Sequence, residues 1–266
     1  MSFWVSKDLI HCLDHNLNQA PLCRLLRLSP AGAVAVLLGL LCGFPVGTKC
    51  ALLAYDRGEM TRLECERVLA LSCTPSSAFL ISAVGQGLWN DTQFGVFLYL
   101  TVLFSALLCG VLLSRLQKEK IPTPTVSFAV SQTRIPISKL FTGAIRSSAQ
   151  SIFLICAYVL FFSALTGMLE TILTPLALPH TWDAALSMLL ELSGGMNAAS
   201  EKRSLFSAIL CAAGGAWSGL SVHCQLLSLC DGRPLVYRTF FFTKLLQAIL
   251  AAALFALLMI WVPMFP

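Results

Sequence analysis

The stretch AGAVAVLLGLLCGFPVGTKCALLAY, Ala31–Tyr55, decides the fold class. It has no acidic residue and a single base, Lys49. Roughly 20 apolar residues wound as a helix cross a ~30 Å hydrocarbon core, so the run is long enough to span a bilayer. Its middle reads G-F-P-V-G-T-K (Gly43–Lys49). Pro45 removes a backbone donor there, while Gly43 and Gly47 allow a turn and a close approach. An unpaired N–H or C=O in hydrocarbon costs several kcal/mol, so irregular backbone at that depth needs shelter from protein or a wet cavity.

Working outward, four more runs approach or exceed spanning length: Val68–Trp89, Phe94–Leu113, Ser147–Leu169 and Phe240–Val262. Ala184–Ala199 and Leu205–Leu229 are apolar but carry small and polar residues near their middles. None alternates apolar with polar residues in the manner of barrel strands. Hydrophobic residues make up 57% of the 266 positions and charged residues 12%, with a mean hydropathy of +0.79. A soluble domain carries about a quarter charged residues, so this surface is one that faces lipid. The expected fold is all-α: a polytopic transmembrane helical bundle with two pseudo-repeat halves and discontinuous (broken or re-entrant) helices.

Charge sets the expected orientation. Residues 115–146 hold Arg115, Lys118, Lys120, Arg134, Lys139 and Arg146 against Glu119 alone, whereas Thr171–Trp182 has no Lys or Arg. The positive-inside rule puts the first stretch in the cytoplasm and the second outside. The net charge of +5 does not indicate nucleic-acid binding, because the basic stretch lacks aromatic interleaving and any binding motif. Residues 1–30 show no cleavable signal peptide. They suit an interfacial amphipathic helix burying Phe3, Trp4, Leu9, Ile10 and Leu13, or a plain cytoplasmic leader. The eleven cysteines include no C-x-x-C pair. Most, such as Cys42, Cys109, Cys156 and Cys211, lie in apolar runs as packing residues, so neither a disulfide framework nor a metal site is expected.

Pro122, Pro124 and Pro136 mark a connector. This divides the chain into a leader (1–30), a first transmembrane half (31–114), a basic cytoplasmic connector (115–146) and a second transmembrane half (147–266). Each half shows the same grammar: a helix with a Gly-rich interruption, a polar turn, a helix interrupted by small polar residues, and an unbroken apolar helix. The interruptions are Gly43–Lys49 and S-C-T-P-S-S (Ser72–Ser77) in the first half. In the second they are E-L-S-G-G-M-N (Glu191–Asn197) and G-G-A-W-S-G-L-S-V-H-C-Q (Gly214–Gln225). Matching interruptions in two halves point to a transporter's binding site, and packing kinks are the plainer alternative. Gly58 ends one helix, and Thr61 with Glu64 starts the next near Arg62 through a capping box. Thr74–Pro75 then fall roughly 18 Å along the axis, near mid-membrane.

The candidate solute-binding residues are Gly43, Pro45, Gly47, Thr48, Lys49, Thr74, Pro75, Ser76, Ser77, Glu191, Gly194, Gly195, Asn197, Ser218, Ser221, His223 and Gln225. Lys49 is a costly charge in an apolar run, and Glu191 is its natural opposite; snorkelling to the interface is the alternative for Lys49. His223 could bind solute or relay a proton, or serve as a hydrogen-bonded packing residue. Lys244, near the start of the last run, is expected to snorkel. No metalloprotease, hydrolase, P-loop or dinucleotide motif occurs. Ser218 or Ser221 with His223 lacks a group to orient the histidine, so no catalytic residue is expected.

At these residues a resemblance emerges. Leu40–Cys50 (LLCGFPVGTKC), Tyr55–Arg67 (YDRGEMTRLECER), Leu69–Leu80 (LALSCTPSSAFL) and Trp217–Gln225 (WSGLSVHCQ) resemble the YlbJ type of sporulation integral membrane protein. That group belongs among the nucleoside-recognition, or Gate-domain, membrane proteins, and the similarity runs over roughly residues 31–262. It implies a multi-pass protein of the bacterial inner membrane with a Gate-like, transporter-related fold. The leading expectation is a transporter or gate for a small polar, nucleoside-like solute, and the rival is a non-transporting scaffold needed for spore formation. Half-helix N-termini in such a site would favour an anionic or hydroxyl-rich solute. The expected partners are the lipid bilayer and that solute, with no nucleic acid and no cofactor; a homo-oligomer is compatible with the sequence.

Overall fold

The computed structural model describes residues 21–116, 137–176 and 180–262, and every regular element among them is helical. The expected amphipathic leader and most of the connector lie outside the described residues. In chain order the helices are α1 (Pro21–Leu26), α2 (Pro30–Cys42), α3 (Phe44–Asp56), α4 (Arg62–Ser72), the π-helix α5 (Ala78–Leu88) and α6 (Thr92–Leu116). After the connector come α7 (Ile137–Leu173), α8 (His180–Leu190), α9 (Leu192–Glu201), α10 (Leu205–Trp217), α11 (Gly219–Cys230) and α12 (Tyr237–Trp261). Helix α7 starts at Ile137, within the stretch read as connector.

Four helical stretches have the length and apolar character to cross a membrane: Thr92–Leu116, Phe141–Leu173, Leu205–Cys230 and Tyr237–Trp261. Two expected spans are absent from that set. Ala31–Tyr55 is not one helix: α2 and α3, joined by Gly43, pack on each other. The physical reason lies in Gly39 and Gly47. A Cβ on Gly47 would overlap the backbone of Gly39 and come within 2.8 Å of the Ser72 Cβ. Only hydrogen side chains let α2, α3 and the end of α4 approach so closely. Val68–Trp89 is likewise divided, at Cys73–Ser77.

Local signals place the ends. Ser29 caps α2, its Oγ accepting from the Gly32 N–H at 3.1 Å, with Pro30 at the first helical position. Gly58 takes a left-handed φ of 72° after α3, and the Thr61 Oγ1 accepts from the Glu64 N–H at 3.1 Å. The capping box is only half formed, because the Glu64 carboxylate accepts from the Ser29 N–H instead and ties α4 to α2.

The molecule exposes apolar residues on its outer surface that a soluble bundle would bury. Leu100, Phe104, Leu108 and Leu112 form an exposed apolar stripe on α6, while Leu98, Thr101, Val102, Ser105 and Cys109 are buried. Helix α7 is peripheral, with only 11% of its apolar window buried. Inside, two apolar cores lie one above the other. One gathers Leu26, Val36, Leu69, Cys109, Leu226 and Phe240; the other gathers Leu80, Phe94, Leu98, Met188, Ala212 and Phe255. Along α6, α10–α11, α12 and the α4–α5 segment, the chain between these cores carries buried polar residues: Thr74, Ser105, Ser218, Ser221, His223, Lys244 and Gln247.

The helix ends gather at two opposite faces. At one, the Arg67 Nη2 donates to the Arg27 carbonyl and the Arg27 Nη1 to the Ser114 carbonyl. Here too the Arg233 guanidinium takes Asp56 bidentately at 2.8 and 2.7 Å, and Glu66 accepts from Arg62, the Val236 N–H and Thr239. At the other face the Arg203 Nη2 donates to the Leu88 carbonyl.

Candidate functional site

The site is built where helices stop. Gly43 ends α2 and begins α3 with φ +90°, a conformation that excludes an ordinary side chain. A Cβ there would come within 3.0 Å of the Ser76 N and Cβ. The last carbonyls of α2 are not left bare in the membrane: the Thr74 Oγ1 donates to Gly39 O (3.3 Å), the Tyr99 hydroxyl to Leu40 O (3.1 Å) and the Ser77 Oγ to Leu41 O (3.3 Å). The Thr-Pro-Ser-Ser segment thus serves as the C-terminal cap of a different helix.

A further set of close contacts surrounds Glu191. Helices α8 and α9 pack on each other about Glu191, and a Cβ on Gly195 would overlap the Met188 backbone. Glu191 is 3% exposed. Its carboxylate accepts the N–H groups of Ser193 (3.0 Å) and Gly194 (2.7 Å), capping α9. The Leu189 carbonyl, left over at the end of α8, accepts from the Trp217 indole at 3.1 Å. Helix α10 ends at Ser218, a left-handed residue with φ 74°, and α11 begins at Gly219. A Cβ on Gly219 would lie 3.0 Å from the Leu192 N and 3.4 Å from the Glu191 Cα. The Ser218 Oγ also donates to the Cys73 carbonyl at 3.5 Å. The contacts therefore run from Gly43 to Ser76, from Cys73 to Ser218, and from Gly219 to Glu191–Leu192, one chain through all four interruptions.

The charged candidates are placed less uniformly. Among the described residues no ion pair joins Lys49 to Glu191. The half-buried Lys49 Nζ instead donates to the Ser147 carbonyl at 3.4 Å and to the Ser151 hydroxyl, both on α7. His223 is 1% exposed. Its Nε2 faces the Trp217 carbonyl (3.1 Å), which can only accept, so Nε2 carries the proton and Nδ1 accepts from the Tyr237 hydroxyl (2.6 Å). The rings of Trp217, Phe240 and Phe241 surround it, at centroid distances of 4.2, 4.9 and 6.3 Å. Pro45, Pro75, Ser76 and Ser77 are half-buried. Thr48 Oγ1, Ser72 Oγ, Ser221 Oγ and Gln225 Nε2 are buried and have no hydrogen-bond partner.

A cavity of about 590 Å³ opens between α7 and the α8–α9 pair, reaching Glu191, Gly194 and Asn197. Glu170, Asp183 and Glu201 also line it, with no Lys, Arg or His. The Glu170 carboxylate accepts from the Ser187 hydroxyl at 2.8 Å. The cavity is thus an acidic vestibule by its lining, and its carboxylates form no metal-binding group among the described residues. Two residues escaped the sequence reading. A Cβ on Gly39 would overlap the Ser72 backbone. Lys244 does not snorkel: it is fully buried and donates to the Gln247 Oε1 at 3.1 Å, while the Gln247 Nε2 reaches the Val102 carbonyl at 3.4 Å. The available signal was the spacing of Thr243, Lys244, Gln247 and Ala251, which places them on one buried face of α12.

Fold and site together define a multi-pass, helical membrane protein with buried polar residues between two apolar cores. The chain is similar to the sporulation integral membrane protein YlbJ of Bacillus subtilis (strain 168), with 24% identity over 271 residues, covering 90% of this chain and 66% of that protein. This similarity supports a YlbJ-type assignment, and the chain spans about two thirds of its relative's length. No family model matches the chain, and no solved structure matches it.

Proposed function

We propose that this chain is a transporter or gate for a small polar solute in the inner membrane of a spore-forming bacterium, built from two pseudo-repeat halves of opposite orientation. In the first half, α2–α3 is a re-entrant hairpin, α4–α5 a discontinuous span and α6 a continuous one. In the second, α8–α9, α10–α11 and α12 repeat that order, with the hairpin inserted from the other face. The single observation that carries this reading is the chain of contacts linking all four interruptions between two apolar cores. Irregular backbone is kept at membrane depth where it lines a path or a site.

The test is flux into proteoliposomes carrying the purified chain. Nucleosides head the solute panel because the sequence resembles nucleoside-recognition membrane proteins. Saturable uptake that Thr74→Val or Ser218→Ala abolishes, without loss of folded protein, is the expected outcome. A second reading, a non-transporting scaffold, is favoured by the tight packing of Gly43 on Ser76 and the aromatic box around His223. Absence of flux for every solute, with spore formation still dependent on the chain, would decide for the scaffold.

A further inference from the structure

The arginines of the arginine-bearing face are not alike. Arg57, Arg62 and Arg233 each have a carboxylate partner, in Glu59, Glu66 and Asp56. Arg24, Arg27 and Arg115 form no ion pair among the described residues. All three are exposed, and they share one corner, where α1 packs on the end of α6. Leu26 seats α1 there: a Cβ on Gly110 of α6 would come within 2.8 Å of its Cδ2. The Ser114 Oγ donates to the Leu25 carbonyl at 3.5 Å, and the Arg27 Nη1 donates to the Ser114 carbonyl at 3.4 Å. Arg115 is the next residue along. The buried Glu64 carboxylate is engaged by the Ser29 N–H instead. Three guanidiniums, each with five N–H donors, thus crowd a corner that the described chain does not neutralise, and like charges repel.

The surface beside them is apolar. Leu25 on α1 and Leu116, Leu112, Leu108 and Phe104 on α6 are all exposed. From Leu116 to Phe104 the helix covers about 18 Å, which matches the ~15 Å hydrocarbon depth of one leaflet. A soluble anion would meet the arginines and leave this stripe bare. A phospholipid meets both, its phosphate on the planar guanidiniums and its acyl chain on the stripe.

We propose that the α1–α6 corner is a binding site for an anionic phospholipid: Arg24, Arg27 and Arg115 take the headgroup, and an acyl chain lies along Leu116, Leu112, Leu108 and Phe104. The lipid supplies the counter-charge and ties α1 to the end of α6. The site lies on the outer surface and is independent of whether the chain carries a solute.

The experiment is thermal unfolding of the purified full chain in neutral detergent micelles carrying increasing phosphatidylglycerol, with phosphatidylcholine and glycerol 3-phosphate in parallel. Phosphatidylglycerol should raise the melting temperature saturably, and the other two should not. Arg24 and Arg115 make no hydrogen bond to the described residues, so Arg24→Gln/Arg115→Gln should melt with the parent when no lipid is added. Its half-saturating phosphatidylglycerol concentration should rise roughly 30-fold, the loss expected of two arginines at an anionic surface. Arg57→Gln/Arg238→Gln lowers the net charge equally from exposed positions outside the corner, and should leave the titration unchanged. The site is overturned if phosphatidylglycerol does not stabilise the parent, or if phosphatidylcholine or glycerol 3-phosphate does so equally. It is also overturned if Arg24→Gln/Arg115→Gln titrates like the parent or melts below it without lipid. Equal weakening in both double variants would overturn it as well, by showing attraction to the whole face rather than to this corner.

Discussion

Glu191 shows how a residue's chemistry depends on where its helix starts. In the sequence it is the natural partner of Lys49; in the structure its carboxylate is held by two backbone N–H groups of α9. Replacing it with alanine leaves both N–H donors without their acceptor, so Glu191→Ala should destabilise the purified protein by about 1–2 kcal/mol, in the range of lost N-caps. Glu191→Gln, which keeps one acceptor oxygen, should recover part of that loss in the same thermal melts. Asp56 gives a pH-dependent case. The hydrogen bond and charge of Arg233 hold its carboxyl below the usual range, while Asp56 raises the Arg233 guanidinium. A lowered carboxyl contributes stability above its ordinary value, near 4, which is lost as pH falls through the lowered one. The melting temperatures of the parent and Asp56→Asn should therefore differ by a small constant at neutral pH and converge below about pH 4. The pair is solvent-exposed, so the difference corresponds to less than about 1 kcal/mol.

At the scale of elements, what the sequence made legible was punctuation. Gly58 and Thr61 set the α3–α4 turn, Arg62 begins α4, and Pro75 and Ser218 fall where helices stop. Those signals are local, and local chemistry enforces them. The direction of the chain after Gly43 was not legible, because it depends on Gly39, Gly47 and Ser72 meeting across more than twenty residues of sequence. Hydropathy alone counts two short helices folded together as one long one. Lys244 was misjudged for a related reason: a lysine two turns into a helix can snorkel, and only the packing of α12 on α4, α6 and α10 removes that route. The α2–α3 contact gives its own prediction. Gly47→Leu places a side chain into backbone rather than into a side chain that can move, so it should cost at least the 1–3 kcal/mol of an overpacked core. Gly58→Ala, with nothing within 4 Å of the added Cβ, pays only the strain of φ +72°. Denaturant titrations should rank Gly47→Leu well below Gly58→Ala, and equal midpoints would show that α2 and α3 do not pack as described.

For the whole molecule, the two faces differ in charge. Arg27, Arg62, Arg67 and Arg233 gather at one, whereas the acidic vestibule lies with α8–α9 on the other. By the positive-inside rule the arginine-bearing face is expected on the cytoplasmic side. On a background without native cysteines, Arg57→Cys and Asp231→Cys should label from the cytoplasm with a membrane-impermeant thiol reagent. Gln93→Cys and Lys202→Cys should label from outside, and all four reacting from one side would reject the proposed orientation. The turn at Gly43 also bears on parity. On the proposed arrangement, a segment that enters and leaves by the same face contributes an even number to the count of crossings, namely none. Scoring Ala31–Tyr55 as a full crossing would put Arg24 and Arg27 on the opposite side from Arg115 and Arg146, splitting the basic residues between two compartments. Scoring it as none leaves one crossing by α4–α5 and one by α6, and both basic groups return to the same side. On that arrangement, the turn at Gly43, held by the packing of Gly39, Gly47 and Ser72, sets the sidedness of every loop that follows it.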